Sequence, residues 1–176
     1  MTVFLSSFLQ PLFFTLNIFF PLFIIFLFLA LWKGAPFVPA SRKNVETMVQ
    51  LTGVAKGDKT VDLGSGDGRV VIAMAKQGVI AHGYEINPFL VLWSRLMILK
   101  NGLRGKAFIH WGSFWQVDLS SYDIVTLYGI SYIMGKFEEK LKRELKPGAK
   151  VASNIFKFPS WRHLKEKNGV YLYKQS

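Results

Sequence analysis

Between residues 12 and 32 the chain reads LFFTLNIFFPLFIIFLFLALW without a charged side chain, and no Lys, Arg, Asp or Glu precedes Lys33. About 20 apolar residues at ~1.5 Å rise each cross a hydrocarbon core, so this pattern predicts one membrane-spanning helix. Thr15 and Asn17 interrupt the run near one end. Pro21 implies a kink, which a bilayer helix tolerates when neighbouring groups satisfy the freed carbonyl, and Trp32 stands where an interfacial anchor belongs. A buried core helix is the rival reading, but such helices seldom run so long without charge. A cleaved signal peptide would need a basic stretch ahead of a shorter apolar one. Lys33, Arg42 and Lys43 follow the span and nothing basic comes before it, which places the remainder on the cytoplasmic side of a single-pass arrangement.

Beyond residue 33 the pattern changes to short apolar runs and amphipathic stretches divided by Gly and Pro. Residues 36–41, PFVPAS, form an extended linker, because proline fixes φ and biases its predecessor away from helix. Ser41 is placed to cap a short helix in which Val45, Met48 and Val49 recur at helical spacing. A strand is expected at 59–63, then a glycine loop, then a helix over 69–77 ended by Gly78. The next strand runs over 79–85, and Asn87-Pro88 opens a helix that stops near Asn101-Gly102. Strands follow at 106–111 and 123–128. Residues 131–146 form the clearest amphipathic helix: Met134, Phe137, Leu141 and Leu145 share a face, and Glu138/Lys142 and Glu139/Arg143 sit at i,i+4 spacing. Strands at 149–156 and 170–174 complete the set. Alternating elements of this length imply an α/β fold, a mostly parallel sheet with helices on both faces. The expected organisation is a membrane span at 1–33, a linker and capping helix at 34–58, and a ligand-binding domain at 59–176.

Composition sharpens this division. The chain is 51% hydrophobic, yet all 22 basic and 11 acidic residues lie from Lys33 onward, giving a net charge of +11. A basic domain favours an anionic neighbour, either nucleic acid or anionic lipid, and the adjoining apolar run favours membrane lipid. A solvated basic face with no specific partner is the plainer alternative. With no cysteine, disulfides, Cys-ligated zinc and thiol nucleophiles are excluded. His82, His110 and His163 are dispersed, so no metal site is expected.

The candidate chemistry lies in Val61-Asp62-Leu63-Gly64-Ser65-Gly66-Asp67-Gly68-Arg69. Alternating glycines let the backbone turn sharply and approach a ligand. A dinucleotide-binding loop would want its third glycine where Arg69 stands, and Asp62 would repel a pyrophosphate. Asp62 suits a ligand carrying an ammonium group, and S-adenosyl-L-methionine carries one. Glu85 ends the second strand, where an acid accepts hydrogen bonds from ribose hydroxyls. The loop residues Leu63, Gly64, Ser65, Gly66, Asp67 and Gly68 complete the expected cofactor contacts, although Asp67 serves equally as a helix N-terminal charge. Ile86 is expected on the adenine face and Ser113 at the adenine amino group. Trp111 and Trp115 read as core residues before cofactor platforms. No residue stands out as a general base.

The segments APFVPASRKNVETM, VDLGSGDGR, GYEINPFLV and FEEKLKRELKPGAKVASNIFKFPSW together resemble the small lysine methyltransferases of mitochondria. Those enzymes modify the adenine nucleotide translocase and the ring subunit of the ATP synthase, and they have prokaryotic relatives. The resemblance covers residues 36–161. VDLGSGDGR alone is common to class I methyltransferases; the runs 83–88 and 156–161 are more specific. The resemblance implies a class I, Rossmann-like fold, S-adenosylmethionine as cofactor, a lysine of a membrane protein as acceptor, and an N-terminal apolar segment that holds the enzyme at a membrane. Two positions depart from the family pattern: Ser113 replaces an acid near the adenine, and Gly129-Ile130-Ser131 replaces Gly-Val-Pro after the fourth strand. Tyr128, Phe158 and Trp161 are the candidates for guiding an amine into the acceptor site. The rival readings are a nucleic-acid methyltransferase, whose Asn/Asp-Pro-Pro-aromatic motif is absent here, and a non-catalytic module that keeps the fold.

Overall fold

The computed structural model describes residue 15, residues 17–24 and residues 37–176, and the chain divides into two units, Met1–Pro36 and Phe37–Ser176. In the first unit the described residues are helical and exposed. The span expected at 12–32 lies largely outside the described residues, and among the described residues no helix is long and apolar enough to cross a membrane.

The second unit is built on a seven-stranded sheet. Its strands are β1 (Lys59–Leu63), β2 (Ile80–Glu85), β3 (Ala107–Trp111), β4 (Ile124–Leu127), β5 (Lys150–Asn154), β6 (Lys165–Lys167) and β7 (Val170–Lys174). The spatial order is β3-β2-β1-β4-β5-β7-β6; β1 to β5 are parallel, and β7 runs antiparallel to both β5 and β6. The central strands are apolar on both faces because helices cover both, as a parallel sheet requires. On one face α1 (Arg42–Thr52), α2 (Arg69–Ala75) and α3 (Pro88–Lys100) bury Val45, Met48, Val71, Met74, Val91 and Ile98. On the other, α4 (Met134–Glu144) buries Phe137 and Leu141 against Val61, Leu63, Leu119 and Tyr173. Each such side chain stabilises the fold by about 1.5–3 kcal/mol relative to exposure.

Local signals set the element ends. Ser41 Oγ accepts from Asn44 N at 3.1 Å and starts α1, and Gly53, with φ 55°, ends it. Asn87 caps α3 and Pro88 occupies its first turn. Three expectations are corrected. The helix expected at 131–146 opens as a 3₁₀ turn, Ser131–Ile133, because no side chain caps it. Its Glu138–Lys142 pair closes at 2.6 Å, whereas Arg143 meets Glu144 at 2.9 Å rather than Glu139. The strand expected at 149–156 stops at Asn154, since Ile155 adopts φ 67° and turns the chain. β6 was not expected at all: its Lys-Glu-Lys sequence is exposed and has no apolar alternation. It forms because Asn168 and Gly169, both at positive φ, make a tight hairpin with β7.

Candidate active site

The strand order reverses between β1 and β4, and ligands in open parallel sheets bind at the carboxyl ends of the strands beside such a switch point. The glycine loop leaves β1 there. Gly64 N and Ser65 N both donate to Tyr84 O, at 2.9 and 3.0 Å, which folds the loop back over the end of β2. Gly66 N donates to Glu85 Oε2 at 2.9 Å, and Asn87 N donates to Glu85 Oε1 at 2.8 Å. The Glu85 carboxylate is therefore buried and fixed. Two of its roughly four acceptor positions are used, which leaves others for ligand hydroxyls.

From the far side α3 clamps the loop: Ser94 Oγ donates to Gly66 O at 2.8 Å. This close approach needs Gly68, with φ 79°, where a Cβ would lie 2.9 Å from Ser94 Cβ. Phe37 lies against the loop from the linker side, so that a Cβ on Gly66 would meet its ring. Asp67 is engaged with Arg69, whose Nη2 stands 2.6 Å from Oδ2, while Arg69 Nη1 donates to Ala40 O at 2.6 Å. Asp67 thus ties the linker down over the loop, and its role as a helix N-terminal charge is supplemented by this clamp.

Asp62 ends its strand beneath the loop. Its side chain is buried and accepts from Thr126 Oγ1 at 2.7 Å. Burial pushes its pKa up to about 7, Thr126 opposes that rise, and the nearby Glu85 and Asp67 carboxylates add to it. Leu63 is a core residue, so only its backbone faces the loop side. Ser65 Oγ is buried without a hydrogen-bond partner. A buried carboxylate with no cation, an orphaned hydroxyl and a backbone cradle form a donor set that fits a ligand bearing an ammonium group and hydroxyls, and S-adenosylmethionine has both.

The outer residues fall differently from expectation. Ile86 is exposed at the end of β2, and its carbonyl accepts from Trp111 Nε1 at 3.0 Å. Trp111 is 68% exposed and belongs to neither core cluster, a correction to its reading as a core residue; it ends β3, where no helix follows to cover it. Ser113 is half-buried and caps the turn Phe114–Gln116 through Trp115 N at 3.4 Å. Trp115, 39% exposed and so not buried core either, stacks on Phe137 at 4.9 Å.

The three aromatics proposed for the acceptor are not brought together. Tyr128 follows β4, half-buried against the first core. Phe158 is buried in the second core, with Tyr173 edge-on at 4.6 Å. Trp161 stacks on Phe158 at 5.5 Å and already has Lys142 Nζ 5.7 Å from its ring centre. One group beside Tyr128 was missed. Asn154 is fully buried at the end of β5; its Oδ1 accepts from Asn44 Nδ2 at 2.7 Å, and its own Nδ2 has no partner. A buried Asn at a strand terminus, followed by a residue forced to positive φ, was the available signal.

This strand order, with a glycine loop after β1 and an acid closing β2, defines a class I methyltransferase domain. The chain belongs to the family described as the ANTKMT methyltransferase domain, whose match covers residues 62–165. It is 44% identical over 126 residues to the lysine N-methyltransferase of the ATP synthase C subunit from Homo sapiens, across 72% of this chain and 54% of that protein. To a protein-lysine N-methyltransferase of Saccharolobus islandicus it is 36% identical over 148 residues, across 78% of this chain and 92% of that protein. Among solved structures, an RNA methyltransferase from Salinibacter ruber in complex with S-adenosyl-L-homocysteine superposes with a TM-score of 0.73 at 32% identity, covering 78% of this chain and 92% of that one. The chain spans about half the length of the animal relatives it matches.

Proposed function

We propose that the chain is an S-adenosylmethionine-dependent protein-lysine N-methyltransferase that works on a membrane-associated protein. The observation that carries this reading is the pairing of two buried carboxylates, Asp62 and Glu85, on either side of a backbone cradle held open by Gly64, Gly66 and Gly68. Asp62 would take the ammonium of the methionine portion and Glu85 the ribose hydroxyls. Ile86 would meet the adenine face and Ser113 its amino group. The cofactor would supply a methyl on a sulfonium, already activated for displacement.

What remains for the protein is to position and to dry the acceptor. A lysine amine is protonated near its ordinary pKa of about 10.4, and it must lose that proton before it attacks. Desolvation favours the neutral amine. Tyr128 and the buried Asn154 amide, at the ends of β4 and β5, supply an aromatic face and a polar atom at the edge where the acceptor would enter. The lysine methyltransferase relatives support lysine as the acceptor, and the uncharged run at 12–32 supports a tether with the domain on the cytoplasmic side.

A second reading, methyl transfer to RNA, is favoured by the likeness to the Salinibacter ruber enzyme. Tyr128-Gly129-Ile130-Ser131 lacks the paired prolines used on exocyclic amines, and this weighs against it. Titration calorimetry with S-adenosylhomocysteine tests the cofactor assignment: the parent binds and Glu85→Ala binds about ten- to a hundredfold more weakly, the scale of a lost charge-assisted hydrogen bond. Equal affinity would remove Glu85 from the site.

A further inference from the structure

Helix α3 presents an apolar surface on both sides. Inward, Val91, Ser94 and Ile98 are buried against the sheet and the glycine loop. Outward, Leu92, Trp93, Leu96 and Leu99 are each between 50 and 60% exposed, and Phe89 is 58% exposed one turn earlier. On a helix that merely borders solvent these positions are polar. Five such side chains at half exposure present on the order of 500 Å², the size at which an exposed apolar patch marks an interaction site. Ile86 and the exposed Trp111, joined by the indole hydrogen bond, carry the apolar surface on to the mouth of the glycine-loop site.

Charge decides the kind of partner. From Ile86 to Val117 the chain contains no acidic residue, but it carries Arg95, Lys100, Arg104 and Lys106. At the end of α3 an open groove of about 340 Å³ runs between the helix and β3, with Leu99 and Phe108 as apolar walls and Arg95 and the exposed Arg104 beside them. Apolar side chains flanked by cations, with a tryptophan among them, match the layered chemistry of a bilayer interface: acyl chains below and phosphates above.

We infer that the outer face of α3 is an interfacial docking surface for anionic phospholipid, a second membrane contact separate from the N-terminal apolar run. The inference rests on the reading that this chain works at a membrane. It gives that reading an orientation: α3 lies along the surface, and the mouth of the site opens at headgroup level, where a lysine at the edge of a membrane protein is found.

The chain has no cysteine, so a single introduced one reports without ambiguity. The full chain bearing Leu96→Cys, or Glu139→Cys on the opposite face of the sheet, is labelled with an environment-sensitive fluorophore. It is then mixed with phosphatidylcholine vesicles, with or without phosphatidylglycerol. The inference predicts a blue shift, a several-fold intensity gain and quenching by brominated lipid for the Leu96 label in anionic vesicles, with the Glu139 label unchanged. Flotation of the same samples reads the tether separately. If the chain floats but the Leu96 label stays aqueous, the tether stands and the inference fails. An equal shift in neutral vesicles overturns its anionic part. A shift without vesicles, accompanied by concentration-dependent cross-linking, hands the face to a second copy of the chain. A chain that does not float overturns both readings.

Discussion

Asp62 carries its carboxyl group into the interior with Thr126 as its hydrogen-bond donor, and burial holds its pKa near 7, well above its ordinary 3.8. Between those values the folded chain binds more protons than the unfolded one. The stability this group contributes is therefore fully present below about pH 4 and is lost as pH rises through about 7. Asp62→Asn keeps the Thr126 contact and removes the titration. Thermal unfolding without cofactor should show the variant gaining on the parent from about pH 5 to about pH 8. A ligand ammonium acts in the opposite direction, because it pairs with the ionised carboxylate. Affinity for S-adenosylhomocysteine should rise by up to about tenfold per pH unit below 7 and then level off, with no such slope in Asp62→Asn. A parent isotherm that is flat between about pH 5.5 and about pH 8 would separate Asp62 from the ligand.

At the scale of elements, the loop and α3 are joined by a contact that tolerates no side chain on Gly68. Gly68→Ala places a Cβ 2.9 Å from Ser94 Cβ at a φ of 79°. The expected cost is about 1–3 kcal/mol, read as a lower urea midpoint with unchanged slope, together with weakened cofactor binding. Much of this architecture was legible beforehand, because Ser41, Asn87-Pro88 and the glycines act through their own backbone. The strands β1 to β5 and β7 and the four helices appear near their expected places. Missing was whatever depends on partners distant in sequence. β6 has no apolar pattern and exists only because β7 pairs with it. Thr126 beneath Asp62 is a fact of sheet register, 64 residues away in the chain. Asn154 gains its meaning from Asn44, 110 residues distant. Trp111 was expected in a core because its residue type is usually buried, but the loop after β3 is a single 3₁₀ turn and leaves it open. Asp62 and Glu85 were legible for the opposite reason: each closes a strand beside a glycine loop, a placement written in the local sequence.

For the whole molecule the account joins an apolar N-terminal run, a basic domain and a site at the edge of the sheet. The linker from Lys33 to Ala40 reaches at most about 30 Å, so a tethered domain works in a thin layer above the bilayer, where its effective concentration toward membrane substrates is high. Removing residues 1–32 should leave methylation of a short lysine peptide intact and strongly reduce methylation of the target in native membranes, as followed by radiolabel incorporation. Equal activity on both would make the run irrelevant to catalysis. The central claim is methyl transfer to a lysine in a membrane. Its most direct test is to incubate the full chain with S-adenosylmethionine labelled in its methyl group and membranes from cells lacking the protein, followed by acid hydrolysis and amino-acid analysis. The account predicts label in methyllysine, absent with Glu85→Ala; label that survives protease and is lost to ribonuclease would contradict it.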